Sequence, residues 1–189
     1  MTNTLLILDL DETLIHATTT PLPCEHDFVV ASYFVYKRPW VDQFIAFCFA
    51  HFDVAVWTSS TEPYAQAVIA NLFNEPKALK FIFSRRKCTR RFDFETHDDT
   101  YIKDLRKIKK RGYTLEKTLI IDDTREKLCR NYGNLIHIDE WTGNATDREL
   151  LHIQPYLLSL KGAENMRKIE KRSWRRLRHQ DVPQNPNVG

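Results

Sequence analysis

Two pairs of aspartates carry the strongest chemical signal in this chain. Asp9 and Asp11 flank a single residue at the end of a short apolar run, and Asp122-Asp123 close another. In an extended strand, positions i and i+2 share a face, which sets Asp9 and Asp11 side by side. Neighbouring carboxylates repel, and both stay ionised at neutral pH only when a cation or hydrogen-bond donors join them. Three or four such groups on one rim suit a hard divalent ion, and an all-oxygen donor set favours Mg²⁺. Taken singly, either pair is also what solvated strand ends and helix caps look like.

The elements that must position these groups alternate between strand and helix. Residues 4–10 are a compact apolar run ending in acids, as a buried strand does. Residues 28–36 are β-prone and predict a hairpin arm. A helix is expected from Pro39, with Trp40, Phe44, Phe47 and Cys48 spaced for one face. Residues 53–57 read as a second buried strand. The polar turn Thr58-Ser59-Ser60-Thr61 follows as a helix cap, then a helix over 62–73. Further strands are expected at 79–83, 118–121 and 135–138, and a helix at 146–160 that opens on a capping-box pattern, Thr146-Asp147-Arg148-Glu149. Such alternation implies an α/β fold: a parallel sheet covered on both faces, with ligands beyond the carboxyl ends of its strands. Asp9, Asp11, Thr58, Asp122 and Asp123 all fall at those ends.

Composition limits the alternatives. The chain has 189 residues, 42% hydrophobic and 28% charged, which suits one domain with its own core. No stretch approaches the ~18 consecutive apolar residues of a membrane span. The first apolar run leads into Asp9 without the basic segment of a signal peptide, so a cytoplasmic location is expected. Cys24, Cys48, Cys88 and Cys129 form no CxxC pair, so neither a disulfide framework nor a zinc site is expected. Residues 161–189 hold eight Lys or Arg against three Asp or Glu, while the preceding body is near neutral. The expected organisation is a domain over 1–160, a basic helix over 161–179 packed on it or extending from it, and a disordered tail over 180–189.

The wider pattern is more specific than either aspartate pair. Asp9-Leu10-Asp11-Glu12-Thr13 has the form DxDxT after an apolar strand and resembles the first motif of the haloacid-dehalogenase (HAD) phosphatases. Lys37-Arg38-Pro39, Trp57-Thr58-Ser59, Tyr101-Ile102-Lys103-Asp104-Leu105 and Ile120-Ile121-Asp122-Asp123 follow in order. Together, over about residues 4–160, they resemble the Fcp/Scp-like, or NIF-like, branch, relatives of the phosphatases of the RNA polymerase C-terminal domain. The resemblance implies a HAD-like, Rossmann-like sheet flanked by helices, with a small β-hairpin insertion and no large cap domain.

It also implies roles. Asp9 matches the nucleophile that takes up the phosphoryl group. Asp11 matches the general acid that protonates the leaving alkoxide and then deprotonates the attacking water. Thr58 matches a hydroxyl that donates to a phosphoryl oxygen, and Lys103 a cation that neutralises phosphate charge. Asp9, Asp123 and the carbonyl of Asp11 would hold Mg²⁺. Which of Asp122 and Asp123 touches the metal stays open; position favours Asp123, with Asp122 a partner of Lys103 or of a metal-bound water. Thr13, Ser59 and Arg85 match positions near the substrate. His16 reads as a satisfied strand-end histidine, Thr58 doubles as a helix cap, and Arg85 could serve only to pair with an acid.

The expected activity is a Mg²⁺-dependent phosphomonoesterase most like a protein serine/threonine phosphatase, with a phosphoprotein as substrate and no membrane partner. The same residues also allow a phosphatase of small molecules or nucleic-acid ends, or a non-catalytic module that binds phosphorylated ligands. Basic runs at 85–91 and 106–111, with the basic tail, border the expected cleft. A solvated face accounts for each of them, and attraction of an acidic partner or nucleic acid is the sharper alternative. No base-reading motif accompanies the charge.

Overall fold

A computed structural model describes residues 4–93 and 97–179. The chain opens with strand β1 (Leu5–Leu8) and a three-stranded excursion of β2 (Ile15–Thr18), β3 (Phe28–Val30) and β4 (Tyr33–Lys37). Helix α1 (Val41–His51), strand β5 (Asp53–Trp57), helix α2 (Glu62–Leu72) and strand β6 (Ile82–Phe83) follow. A hairpin of β7 (Thr89–Asp93) and β8 (Asp98–Ile102) leads to β9 (Thr118–Asp122), β10 (Leu135–His137) and helix α3 (Glu149–Leu160).

Five of these strands pair in parallel in the order β10-β9-β1-β5-β6. Every residue of β1 is buried, as the continuous apolar run of a central parallel strand requires. Leu6 and Leu8 join Val54, Val56, Leu119 and Ile121 on one face, and Leu5 and Ile7 join Ala55, Trp57 and Ile120 on the other. From β1 the chain moves outward to β5 and β6, then returns to β9 on the opposite side of β1. That reversal is the switch point at which doubly wound sheets bind ligands. Leu8 is level with both Val56 and Ile121, so Asp9 and Asp122 leave the sheet together.

Both faces are covered, but α1, α2 and α3 all pack on the Leu6/Leu8 face. The other face is closed by Phe81, Phe83, Leu115 and a 3₁₀ turn, Leu105–Arg111, that contributes Leu105 and Ile108. Apolar residues three apart eclipse one another in a 3₁₀ turn, which suits this segment better than a helix of period 3.6. The turn stops at Gly112, whose φ of 83° favours glycine.

Several expectations need correction. The arm over 28–36 is part of a three-stranded antiparallel sheet, because β2 pairs with β4 as β3 does. Helix α1 starts at Val41, since Trp40 sits at φ 69° and Arg38 is still tied to Leu14 through its amide. The strand expected at 79–83 is reduced to Ile82–Phe83. Residues 161–179 form two 3₁₀ turns, Met166–Lys168 and Trp174–His179, and no continuous helix. Met166 and Trp174 are buried in the main core, which bends this segment back onto the domain. The tail expected as disordered over 180–189 lies outside the described residues. Among those described, no helix is long and apolar enough to cross a membrane.

The capping box expected at 146–149 does not form: Thr146 Oγ1 donates to Asn144 Oδ1 at 2.9 Å, and the Glu149 amide is taken at 3.0 Å by Asp147. Arg38, 1% exposed, donates Nε and Nη2 to its carboxylate at 2.9 and 2.9 Å, and Nη1 to the Thr13 carbonyl at 3.1 Å. This ties the end of the antiparallel sheet to the entry of α3. Burial would raise the Asp147 carboxyl, but the Arg38 hydrogen bonds hold it below its ordinary value. A depressed carboxylate stabilises the fold above its unfolded pKa, near pH 4, and that contribution is lost as pH falls through the folded value. Asp147→Asn strands a buried guanidinium and is expected to cost about 3 kcal/mol at pH 7, a fall in Tm of roughly 6–12 °C. Thermal unfolding from pH 7 to pH 3 checks this: the gap between wild type and variant should narrow below pH 4.

Candidate active site

Asp9 is the hub of the site. It follows β1 directly, its amide donates to the Ile121 carbonyl at 3.1 Å, and it is 1% exposed. Its Oδ1 meets Lys103 Nζ at 2.8 Å and the Leu10 amide at 2.9 Å, while Oδ2 faces Lys127 Nζ at 3.4 Å. Lys103 is delivered by the end of β8 and reaches Asp122 Oδ2 at 2.6 Å as well. Burial alone would raise the Asp9 carboxyl, but the two ammonium charges outweigh it and hold Asp9 ionised. Asp122 goes the other way, pushed up to about 7 by burial and by the charge of Asp9. Burial works against the Lys103 ammonium too, yet Asp122 and Asp9 keep it charged.

Asp123 stands at the edge of this group. Thr13 Oγ1 donates to its Oδ1 at 3.2 Å and Thr124 Oγ1 to its Oδ2 at 2.9 Å. Asp9, Asp122 and Asp123 each bring a carboxylate oxygen within 4.8 Å of the others. Three oxygen donors against two ammoniums leave a deficit of positive charge, so these residues fit a hard divalent cation.

Asp11 does not share this cluster. β1 ends at Leu8, so the strict alternation that set the two aspartates side by side no longer holds at Asp11. Its carboxylate instead accepts from Tyr64 OH at 2.7 Å, Ser60 Oγ at 2.7 Å and Thr58 Oγ1 at 3.4 Å. Thr58 also takes the Ser60 amide at 3.0 Å, which folds the loop after β5 toward Asp11 and leaves Thr61, not Thr58, at the start of α2.

The other expected residues fall as follows. Thr13 is fully buried and its hydroxyl orients Asp123, not a ligand in the cleft. Ser59 offers its carbonyl to Arg85 Nε at 2.6 Å, and Arg85 lies over the Tyr101 ring, exposed and without an acidic partner among the described residues. His16 is satisfied by Glu12 at 3.2 Å. Glu12 itself is pushed up to about 7 by burial and by Asp11, Asp123 and Asp9. Lys127, Ser60 and Tyr64 were missed. Ser60 sits within the polar turn that flagged Thr58, but Lys127 lies in a 3₁₀ turn, Arg125–Leu128, where no periodic pattern points at Asp9.

A buried aspartate beyond the central strand of a HAD-like sheet, flanked by two lysines, is the centre of this site, and similarity to known proteins places the chain among phosphatases. A family model described as NLI interacting factor-like phosphatase matches residues 4–167, and the chain belongs to this family. It is 32% identical over 183 residues to the CTD nuclear envelope phosphatase 1 homolog of Drosophila melanogaster, covering 89% of this chain and 72% of that protein. It is 31% identical over 171 residues to a probable C-terminal domain small phosphatase of Dictyostelium discoideum, covering 87% of this chain. The chain spans 53% of that relative's length, and 31% of that of the CTD small phosphatase-like protein 1 of Caenorhabditis elegans. The solved structure of Fcp1, an essential RNA polymerase II CTD phosphatase, superposes with a TM-score of 0.58 at 18% identity, over 94% of this chain and 60% of that one, which shows the shared fold.

Thr13 supplies a test of the cation site that does not depend on turnover. Groups that orient a metal ligand typically contribute 10–100-fold in affinity. Thr13→Val removes the donor to Asp123 at nearly constant volume and is expected to weaken Mg²⁺ by about tenfold in a calorimetric titration. An unchanged affinity would show that the Thr13 hydroxyl does not support the cation site, and Asp123→Asn would then test the ligand directly.

Proposed function

We propose that this chain hydrolyses phosphomonoesters with Mg²⁺ through a phosphoryl group carried on Asp9, and that its substrate is a phosphorylated protein segment of the serine/threonine type. The observation that carries this reading is the state of Asp9: buried, held ionised by two lysines, and placed beside two further carboxylates. Relatives named as CTD phosphatases support the substrate class.

In the first half-reaction an Asp9 carboxylate oxygen attacks phosphorus, and the bond from phosphorus to the substrate oxygen breaks. Asp11, positioned by Ser60, Tyr64 and Thr58, gives its proton to that departing oxygen. In the second half-reaction water attacks the phosphorus of the acyl-phosphate while Asp11 takes the water's proton, and inorganic phosphate leaves with Asp9 regenerated. Lys103 and Lys127 offset charge that develops between Asp9 and the phosphoryl oxygens. Mg²⁺, held by Asp9, Asp123 and the Asp11 carbonyl, would supply further neutralisation, with Asp122 steadying Lys103. Among the described residues the insertions are a three-stranded sheet and one hairpin, and an uncapped rim suits a protruding chain.

Hydrolysis of p-nitrophenyl phosphate is expected with Mg²⁺, and is expected to vanish with EDTA and in Asp9→Asn. Activity surviving in that variant would discard Asp9 as nucleophile. Asp11→Asn is expected to slow an alkyl phosphate by about 10²–10⁴-fold but p-nitrophenyl phosphate far less, because nitrophenolate leaves without a proton. Lys127→Ala should lower kcat by about a hundredfold; a fall confined to KM would make Lys127 a binding group only. A panel of phosphopeptides, nucleotides and sugar phosphates decides the substrate class, and preference for the small molecules would overturn the protein assignment.

A further inference from the structure

The basic tail does not lie loose on the surface; it walls a second cavity. Lys171, 5% exposed, donates its ammonium to the carbonyls of Gly133 at 2.7 Å, Ile169 at 2.8 Å and Met166. A Cβ on Gly133 would stand 2.9 Å from the Arg167 carbonyl, so only glycine lets the two segments approach this closely. Trp174 Nε1 adds a hydrogen bond to the His137 carbonyl at 2.9 Å. Residues 166–172 are thereby fastened against the turn Tyr132–Asn134, and a cavity of about 600 Å³ opens between them and the carboxyl end of β10.

The lining of that cavity is basic. It holds five Lys or Arg against two Glu, in a chain whose whole formal charge is only +3. One of the two acids is already neutralised, because Arg172 grips Glu170 with Nη2 at 2.6 Å. Lys171 is spent on its carbonyls, and the other three cations lack strong partners. Arg125 leans on His137 Nδ1 at 3.4 Å, Arg167 reaches Glu116 only at 4.0 Å, and Lys168 makes no ion pair among the described residues. Clustered cations of this kind repel one another, and an anion relieves that repulsion. In the runs at 85–91 and 106–111, Arg86, Arg90 and Arg106 are paired with acids and Lys107 donates to the Lys87 carbonyl and to Thr89, while Arg85 has no acidic partner among the described residues; what sets the tail apart is that its cations line a cavity.

The cavity adjoins the reactive aspartate through one short turn. Within Arg125–Leu128, Lys127 faces Asp9 while Arg125 and Glu126 line the cavity. His137, on the cavity wall, is level with Asp122 across the β9–β10 ladder. We infer that this cavity binds a second phosphate on the same substrate chain, held by Arg125, Arg167 and Lys168 while the first phosphate sits at Asp9. The preferred substrate is then a protein segment bearing two phosphates and not one. This rests on the phosphatase reading above, and its test separates the two.

Peptides with one phosphoserine, and with a second phosphoserine at varied spacing, would be compared as substrates. The best doubly phosphorylated peptide is expected to show a KM about tenfold below the single one. Lys168→Glu, alone and with Arg167→Ala, is expected to erase that advantage while leaving turnover of p-nitrophenyl phosphate unchanged. Equal KM values for all peptides in the wild type, or an advantage that survives the double variant, would overturn the inference. Fluorescence anisotropy with the same peptides reads the cavity without catalysis. Were p-nitrophenyl phosphate not hydrolysed at all, tighter binding of the doubly phosphorylated peptide, lost in Lys168→Glu, would still uphold the cavity while the phosphatase reading fell. Displacement of that peptide by an RNA or by phosphatidylserine vesicles at lower phosphate concentration would assign the cavity to those ligands instead.

Discussion

Everything at the carboxyl rim depends on one buried ammonium. Lys103, fully enclosed, lies 2.8 Å from Asp9 and 2.6 Å from Asp122, and neither carboxylate has water to turn to. Burying three ionisable groups is costly unless their charges and hydrogen bonds answer one another, and removing one leaves the others uncompensated. Three chain segments distant in sequence are joined at this point: the end of β1, the end of β8 and the end of β9. The hairpin of β7 and β8 can therefore be understood as the element that carries Lys103 to the sheet, with its last amide tied to the Lys127 carbonyl at 2.7 Å.

Around that triad the charges are graded. Asp9 is pressed toward the ionised state by Lys103 and Lys127, while Asp122 is pushed up to about 7 by burial and by its neighbour. Asp11 is set apart and held by three hydroxyl donors from the loop after β5 and the first turn of α2. Two carboxylates close in sequence thus occupy environments of different character, which is the condition for one to act as nucleophile and the other to handle protons. The division is made by where β1 stops. Had the strand continued through Asp11, both side chains would have faced the same partners.

The outer shell follows the same logic of buried cations seeking acceptors. Arg38 fastens the antiparallel sheet to α3 through Asp147, and Lys171 fastens the tail to the body through the Gly133 carbonyl while also holding the tail's own Met166 and Ile169 carbonyls. In each case a residue that looks like a solvated charge in the sequence is a cross-link in the fold. Lys171 and Arg175 contribute to the apparent basicity of the tail, yet both are engaged internally.

The sequence by itself determined the sheet, the order of its motifs and the residues at its rim. Apolar runs such as Leu5 to Leu8 and Val54 to Trp57 can be buried on both faces only as central parallel strands, and acids at their ends then converge whatever the loops do. The spacing of Asp9 and Asp11, the Lys103 segment and the Asp122-Asp123 pair were legible because local pattern and chemistry coincide there. Only the tertiary structure decided the rest. Lys127 reaches Asp9, Thr13 turns inward to Asp123, and the tail folds back as a cavity wall, because long side chains and irregular 3₁₀ turns carry no periodicity. Their positions are set by which buried charge still lacks a partner, and that is a property of the assembled fold and not of any one segment.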